Sequence, residues 1–243
     1  MTPHPVAALA RRVARRLGMG PTARIVRAAR PYTMTSEARL EALCDAVRYI
    51  VRGRIPGDIV ECGVWRGGSM MAAALALLDE GDGERVLHLF DTFSGMTQPG
   101  AEDVSFDGVS AESQLRAADP ADEGPASVWC RAPLEGVRAA IASTGYDMQR
   151  VRFIAGDVKD TLPREAPARI ALLRLDTDWY ASTRHELEHL YPRVVPGGVL
   201  IIDDYGHWKG ARKAVDEYFA EHQIAIRLHS IDYTGRWALK AGA

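Results

Sequence analysis

Five short apolar runs, spaced so that helical patterns fit between them, constrain this chain more than any other feature. The runs are Asp58–Val64, Arg85–Asp91, Val151–Asp157, Ile170–Asp176 and Val199–Asp203. They are continuously apolar rather than alternating, which suits strands covered on both faces. Helical periodicity runs from Ser69 to Leu78, over 133–143, from Ser182 to Tyr191, and over about 209–221. Strands alternating with helices of this length predict βαβ units and a mainly parallel sheet. Pro196-Gly197-Gly198 reads as the turn into the fifth strand. Two closing strands, Ile224–Leu228 and Arg236–Lys240, bring the expected sheet to seven.

Residues 1–57 read as a helical N-terminal extension or lid, and residues 58–243 as one α/β domain. Within the extension, apolar residues fall at helical spacing over 5–17 with arginines between them. A second short piece over 22–30 follows, then a helix over Glu37–Val51 with Ser36 as its cap. Residues 92–132 are rich in Gly, Asp, Ser and Pro, with one short helix near 110–118. That is too long for an ordinary connection, and it leaves the carboxyl end of a strand, so it reads as a lid-like insertion.

Composition narrows what such a domain can do. The chain has 243 residues, 47% of them apolar, enough for a core without a disulfide framework. Cys44, Cys62 and Cys130 lack the paired spacing of a thiolate metal site. The formal charge of -2 is unevenly spread: residues 1–30 hold seven arginines and no acid, and the rest holds 23 basic against 32 acidic residues. An acidic body is the wrong sign for nucleic acid. No apolar run reaches 18 residues, so no membrane partner is expected. The short run Val6–Ala10 makes a poor secretory signal. The expected location is the cytoplasm, and the basic leader is expected to dock as an amphipathic helix on the acidic body or on a neighbouring subunit.

Ligands in open parallel sheets bind beyond the carboxyl ends of the strands, and acids concentrate there in this sequence. Glu61 stands in the first strand, Asp91 ends the second, Asp157 the third, Asp176 the fourth with Asp178 just beyond, and Asp203-Asp204 the fifth. The turn Gly63-x-x-x-Gly67-Gly68 is not the dinucleotide pattern. Glu61 before it would repel a pyrophosphate and suits an amino-bearing ligand. Asp91 is placed to accept ribose hydroxyls; a tight turn with two strand-end acids is the plainer alternative.

Asp176, Asp203 and Asp204 would repel one another if they converged, and a divalent cation resolves that conflict. Oxygen ligands favour Mg2+, or Mn2+. Helix capping by Asp178, and by Asp203 or Asp204, is the competing use. His185 and His189 stand four apart on one helical face, and neither histidines nor cysteines are expected to offer a rival metal site. Among the histidines, His207 is the best placed for substrate contact or proton transfer. Trp65, Trp179, Tyr180 and Trp208 are candidates for a pocket lining.

Tyr32-Thr-Met34, Glu61-Cys-Gly-Val-Trp-Arg-Gly-Gly-Ser69, Phe90-Asp-Thr-Phe-Ser-Gly-Met96, Leu175-Asp-Thr-Asp-Trp-Tyr-Ala-Ser-Thr183 and Ile202-Asp-Asp-Tyr205 together resemble the macrocin O-methyltransferase family, over about residues 32–240. The resemblance implies a Rossmann-like class I methyltransferase fold, dependence on S-adenosylmethionine and Mg2+, and methylation of a deoxysugar hydroxyl on a glycosylated antibiotic, macrolide or other. It places Glu61, Gly63 and Ser69 around the methionine part of the cofactor, Asp91, Thr92 and Ser94 at the ribose, and Asp157 and Val158 at the adenine. It makes Asp176, Asp203 and Asp204 the metal ligands and Asp176 the first candidate for general base, with Asp178 and His207 behind it. It also implies a homo-oligomer, a dimer or higher. A metal-dependent catechol-type methyltransferase and a non-catalytic cofactor-fold scaffold are the competing readings.

Overall fold

The computed structural model describes residues 20–122 and 124–242. The helix expected over 5–17 lies outside them. Two helices, α1 (Pro21–Ala29) and α2 (Glu37–Arg52), precede the sheet. Ser36 caps α2 as expected, its hydroxyl accepting from the Arg39 amide at 3.2 Å. The order then runs β1 (Asp58–Cys62), α3 (Gly68–Glu80), β2 (Leu87–Asp91), α4 (Ala111–Ala117), α5 (Leu134–Ala142), β3 (Val151–Ala155), α6 (Val158–Thr161), β4 (Ile170–Leu175), α7 (Tyr180–Leu190), β5 (Val194–Ile202), α8 (Lys209–Glu221), β6 (His229–Ser230) and β7 (Arg236–Leu239).

The seven strands lie in the order β3-β2-β1-β4-β5-β7-β6. β1 to β5 are parallel, and β7 runs antiparallel to β5 and β6. Alternate residues of each strand feed two cores. Ile59, Leu172 and Ile201 face a layer formed by α1, α2, α3 and α5. Val60, Leu173 and Leu200 face α6, α7 and α8 on the other side. Burial on both faces explains why these strands read as apolar runs. α2 puts Leu40, Leu43, Val47 and Ile50 into the first layer, each worth about 1.5–3 kcal/mol of transfer free energy. The N-terminal helices are therefore part of the main core.

Two sequence expectations change. Ile224–Leu228 forms no strand: Ile224, Ile226 and Leu228 pack on the second core, but only His229 and Ser230 beyond them reach a ladder. Pro196-Gly197-Gly198 is not a turn before β5 but an irregularity inside it. Ile170 pairs with Val194 and Leu172 with Val199, so the proline and glycines sit where the register shifts and Pro196 breaks no ladder bond.

Candidate active site

Successive strands leave β1 in one direction and β4 in the other, so the sheet has its topological switch point between them. A cavity of about 380 Å³ opens there. Eleven of the thirteen expected site residues line it: Gly63, Ser69, Asp91, Thr92, Asp157, Val158, Asp176, Asp178, Asp203, Asp204 and His207. Ser94 is exposed and outside the lining. Glu61 is fully buried beneath the floor, held by Arg174, so it reaches no ligand in the cavity directly.

On the β1–β2–β3 side, the turn after β1 is held by the acid that ends β2. Asp91 Oδ2 accepts from the amides of Val64 at 2.7 Å and Trp65 at 2.9 Å, and Oδ1 accepts from Phe93 at 2.7 Å. Burial raises the Asp91 carboxyl, and those amides oppose the shift. Gly63, at φ +82°, passes so close to the Asp176 carbonyl that a Cβ would collide with it. This glycine is required by the approach of two strand ends as much as by any ligand. Gly68 packs under the Tyr32 and Thr33 segment, where a Cβ would lie 2.7 Å from both. α3 starts there from Gly67 without a side-chain cap, which leaves first-turn amides for an anionic group. The Trp65 indole nitrogen is buried with no partner among the described residues, and Trp65 lines the cavity. Asp157 caps α6, accepting from the Lys159 amide at 2.9 Å.

On the β4–β5 side the carboxylates crowd. One oxygen each of Asp176, Asp178 and Asp204 lies within 4.8 Å of the others. Burial raises all three carboxyls. Asp178 reaches about 7, with Asp176 and Asp203 adding to the effect and a hydrogen bond from Asp204 opposing it. Asp176 and Asp204 stand well above the usual carboxylate range, pushed further by one another's neighbours. The capping alternative is not what the structure shows. The N-cap residues of α7 and α8 are Trp179 and Trp208, and neither Asp178, Asp203 nor Asp204 occupies those positions.

Asp203 departs from its expected place in that cluster. Its two oxygens are taken by guanidinium groups, Oδ1 by Arg174 and Oδ2 by Arg39. Arg174 also pairs with Glu61 and, at 2.7 Å, with Asp176, and it donates to Thr35 Oγ1 at 2.9 Å. Arg39 continues to Asp232 at 3.0 Å, where Ser36 also donates at 2.6 Å. Sequence reasoning missed both arginines. The signal was present for Arg174, since a charge in an otherwise apolar strand needs a buried partner. Glu61, Asp176, Asp178, Asp203 and Asp204 outnumber Arg39 and Arg174 by three charges when all are ionised. That excess suits a divalent cation and a sulfonium, and an oxygen-only donor set suits Mg2+.

The insertion closes the far side. Asp103, 1% exposed, accepts from the Tyr180 amide at 2.7 Å and the Gly100 amide at 2.6 Å, so the insertion itself caps α7. Trp179 and Trp208 pack edge to face at 5.0 Å in a small core with Leu115 and Ala211. They anchor the insertion rather than line the pocket, and Tyr180 hydrogen-bonds Glu217 at 2.8 Å. His207 stands at the mouth, its Nδ1 3.1 Å from the Tyr233 hydroxyl, with Phe106 at 5.5 Å between centroids. Phe106 and Tyr233 are 57% and 62% exposed, which leaves an aromatic face open beside the cavity. Burial lowers the His207 imidazole, against the pull of Asp107.

The strand order, the glycine turn after β1 and the acid at the end of β2 define a class I, Rossmann-like methyltransferase fold. The chain belongs to the macrocin O-methyltransferase family, whose family model matches residues 14–240; it is an O-methyltransferase. It is 39% identical over 204 residues to the 8-demethyl-8-(2,3-dimethoxy-alpha-L-rhamnosyl)-tetracenomycin-C 4'-O-methyltransferase of Streptomyces olivaceus, covering 84% of this chain and 74% of that protein. It is 36% identical over 204 residues to the mycinamicin III 3''-O-methyltransferase of Micromonospora griseorubida, covering 84% and 76%. The solved O-methyltransferase NovP matches with a TM-score of 0.75 and 32% identity, over 87% of this chain and 83% of that one. Among the described residues no helix is long and apolar enough to cross a membrane.

Proposed function

We propose that this O-methyltransferase uses S-adenosylmethionine to methylate a deoxysugar hydroxyl on a glycosylated natural product, with Mg2+ held by Asp176 and Asp204. The observation that carries the reading is the carboxylate cluster of Asp176, Asp178 and Asp204 in the same cavity as the Asp91-braced glycine turn. The rhamnosyl glycoside in the name of the Streptomyces olivaceus relative supports it. When bound, the cofactor supplies a methyl on a sulfonium for in-line transfer, and the cation lowers the pKa of a coordinated hydroxyl.

The chain's own residues do the rest. The uncapped start of α3 and the Trp65 indole receive the polar end of the cofactor, and Asp91 keeps lone pairs for ribose hydroxyls. A carboxylate oxygen of Asp178 takes the hydroxyl proton, since its carboxyl at about 7 is matched to a base working near neutrality. Arg174 and Arg39 hold Asp176 and Asp203 in place. The insertion, fixed by Asp103 and the tryptophan pair, excludes water, and Phe106, His207 and Tyr233 present an aromatic face to the substrate. The homo-oligomer implied by the family resemblance belongs to the same proposal, and light scattering tests it.

A mass-spectrometric screen with isotope-labelled S-adenosylmethionine decides the substrate class. Rhamnosyl and related deoxysugar glycosides are compared with catechols, each with and without a chelator. Label on a sugar hydroxyl, lost with the chelator, is the expected result. Label only on a catechol ring, or none in any arm, overturns the assignment.

A further inference from the structure

A second group of metal-ligating side chains stands outside the cavity, in the later part of α7. His185, Glu188 and His189 recur at one helical turn and share a face. The two imidazole rings are 4.3 Å apart between centroids, and one ligand atom from each residue lies within 4.8 Å of the others. His185 Nε2 is buried with no hydrogen-bond partner among the described residues. A buried imidazole nitrogen normally finds a partner, so the orphaned atom marks a place for one. Glu188 spends Oε1 on Arg184 at 2.7 Å, leaving its other oxygen.

We propose that His185, His189 and Glu188 form a site for a zinc-class divalent cation, separate from the carboxylate site in the cavity. Two imidazoles with one carboxylate suit Zn2+, Cu2+ or Ni2+ and not Mg2+. Three protein ligands leave a coordination position for water or for a further ligand. The proposal runs against the expectation that histidines offer no rival metal site.

The stretch His185-Glu-Leu-Glu-His189 also fits the pattern of zinc peptidases, in which the first glutamate activates water on the metal. The geometry removes that function. Glu186 is fully buried and accepts from the Thr177 hydroxyl at 2.8 Å, so its carboxylate is engaged inside the fold. The metal's role here is therefore to clamp one turn of α7. Glu186 in that turn holds Thr177, which lies between Asp176 and Asp178, so occupancy stiffens the helix that starts at the catalytic loop.

The test is a Zn2+ titration of tag-free, metal-stripped protein against a chromophoric chelator, in millimolar Mg2+ to fill the oxygen-only site. The expected result is one equivalent of Zn2+, weakened at least about tenfold in H185Q and in H189Q, since even an outer-shell partner costs that much. D204N leaves it unchanged. Cu2+ in the same site shows nitrogen hyperfine from two imidazoles in the unmodified protein and from one in H189Q. Circular dichroism checks each variant's fold, and if H185Q misfolds, H189Q and the unmodified protein's Cu2+ spectrum decide. No Zn2+ binding over excess Mg2+, or equal affinity in the folded variants, overturns the proposal. The outcome is independent of the methylation screen.

Discussion

Replacing Arg174 by methionine tests how the site holds together. The side chain is 3% exposed and bonds Glu61 at 0%, Asp203 at 3% and Asp176 at 23% exposure. R174M leaves Glu61 buried without a cation, and one oxygen of Glu61 already has no hydrogen-bond partner among the described residues. Breaking a buried pair from one side costs about 3–5 kcal/mol. At about 2–4 °C per kcal/mol for a chain of this size, the melting temperature falls by roughly 6–20 °C. The loss depends on pH in a stated direction. Burial holds the Glu61 carboxyl at about 7, and Arg174 is the main opposing influence; without it the group rises further. A carboxyl raised in the folded state stabilises the fold below its unfolded pKa, and that stability is lost as pH rises through the folded value. The penalty of R174M is therefore larger at pH 8 than at pH 6. Denaturant midpoints at both pH values measure it, and R174M/E61Q recovers about 1 kcal/mol or more. If R174M lies within about 0.5 kcal/mol of the parent, as an ordinary surface change does, or if E61Q gives no recovery, the hub is not what holds these acids.

Three further outcomes follow from the same geometry. D178N lowers kcat by about 10²–10⁴-fold with S-adenosylmethionine affinity by calorimetry unchanged. The metal-free protein loses stability as pH rises from about 4 to about 8, because Glu61 and Asp178 at about 7 and Glu186 at about 8 are protonated in the fold. Mg2+ replaces protons, so it raises the melting temperature more at pH 8 than at pH 6, which thermal scans check. D103A removes the cap that the insertion places on α7, costs about 0.5–2 kcal/mol, and speeds limited proteolysis within 92–132.

Strand positions and strand-end acids were legible because two-sided burial writes apolar runs and the switch point gathers whatever ends them. The irregularity at Pro196-Gly197-Gly198 was not, since a proline and two glycines signal a turn unless a neighbouring register absorbs them. Ile224–Leu228 has a strand's pattern, but its apolar residues are spent on the second core and only His229 and Ser230 beyond them pair with β7. The roles within the carboxylate group depended on cations from elsewhere in the chain: Arg39 arrives from α2, so nothing near Asp203 in sequence announces that Asp203 is spent on arginines. Glu61 was read as facing a ligand, while the pairing of β1 with β4 sets it opposite Arg174. Asp103 caps a helix 77 residues away, beyond any local motif.

The most direct test is a crystal structure with Mn2+ and S-adenosylhomocysteine, read by anomalous scattering. The account predicts a Mn2+ peak at bonding distance from Asp176 and Asp204, with the cofactor over the Gly63–Trp65 turn and Arg174 still on Asp203. A cofactor bound there with no Mn2+ at those carboxylates, or with Mn2+ only at His185 and His189, contradicts it.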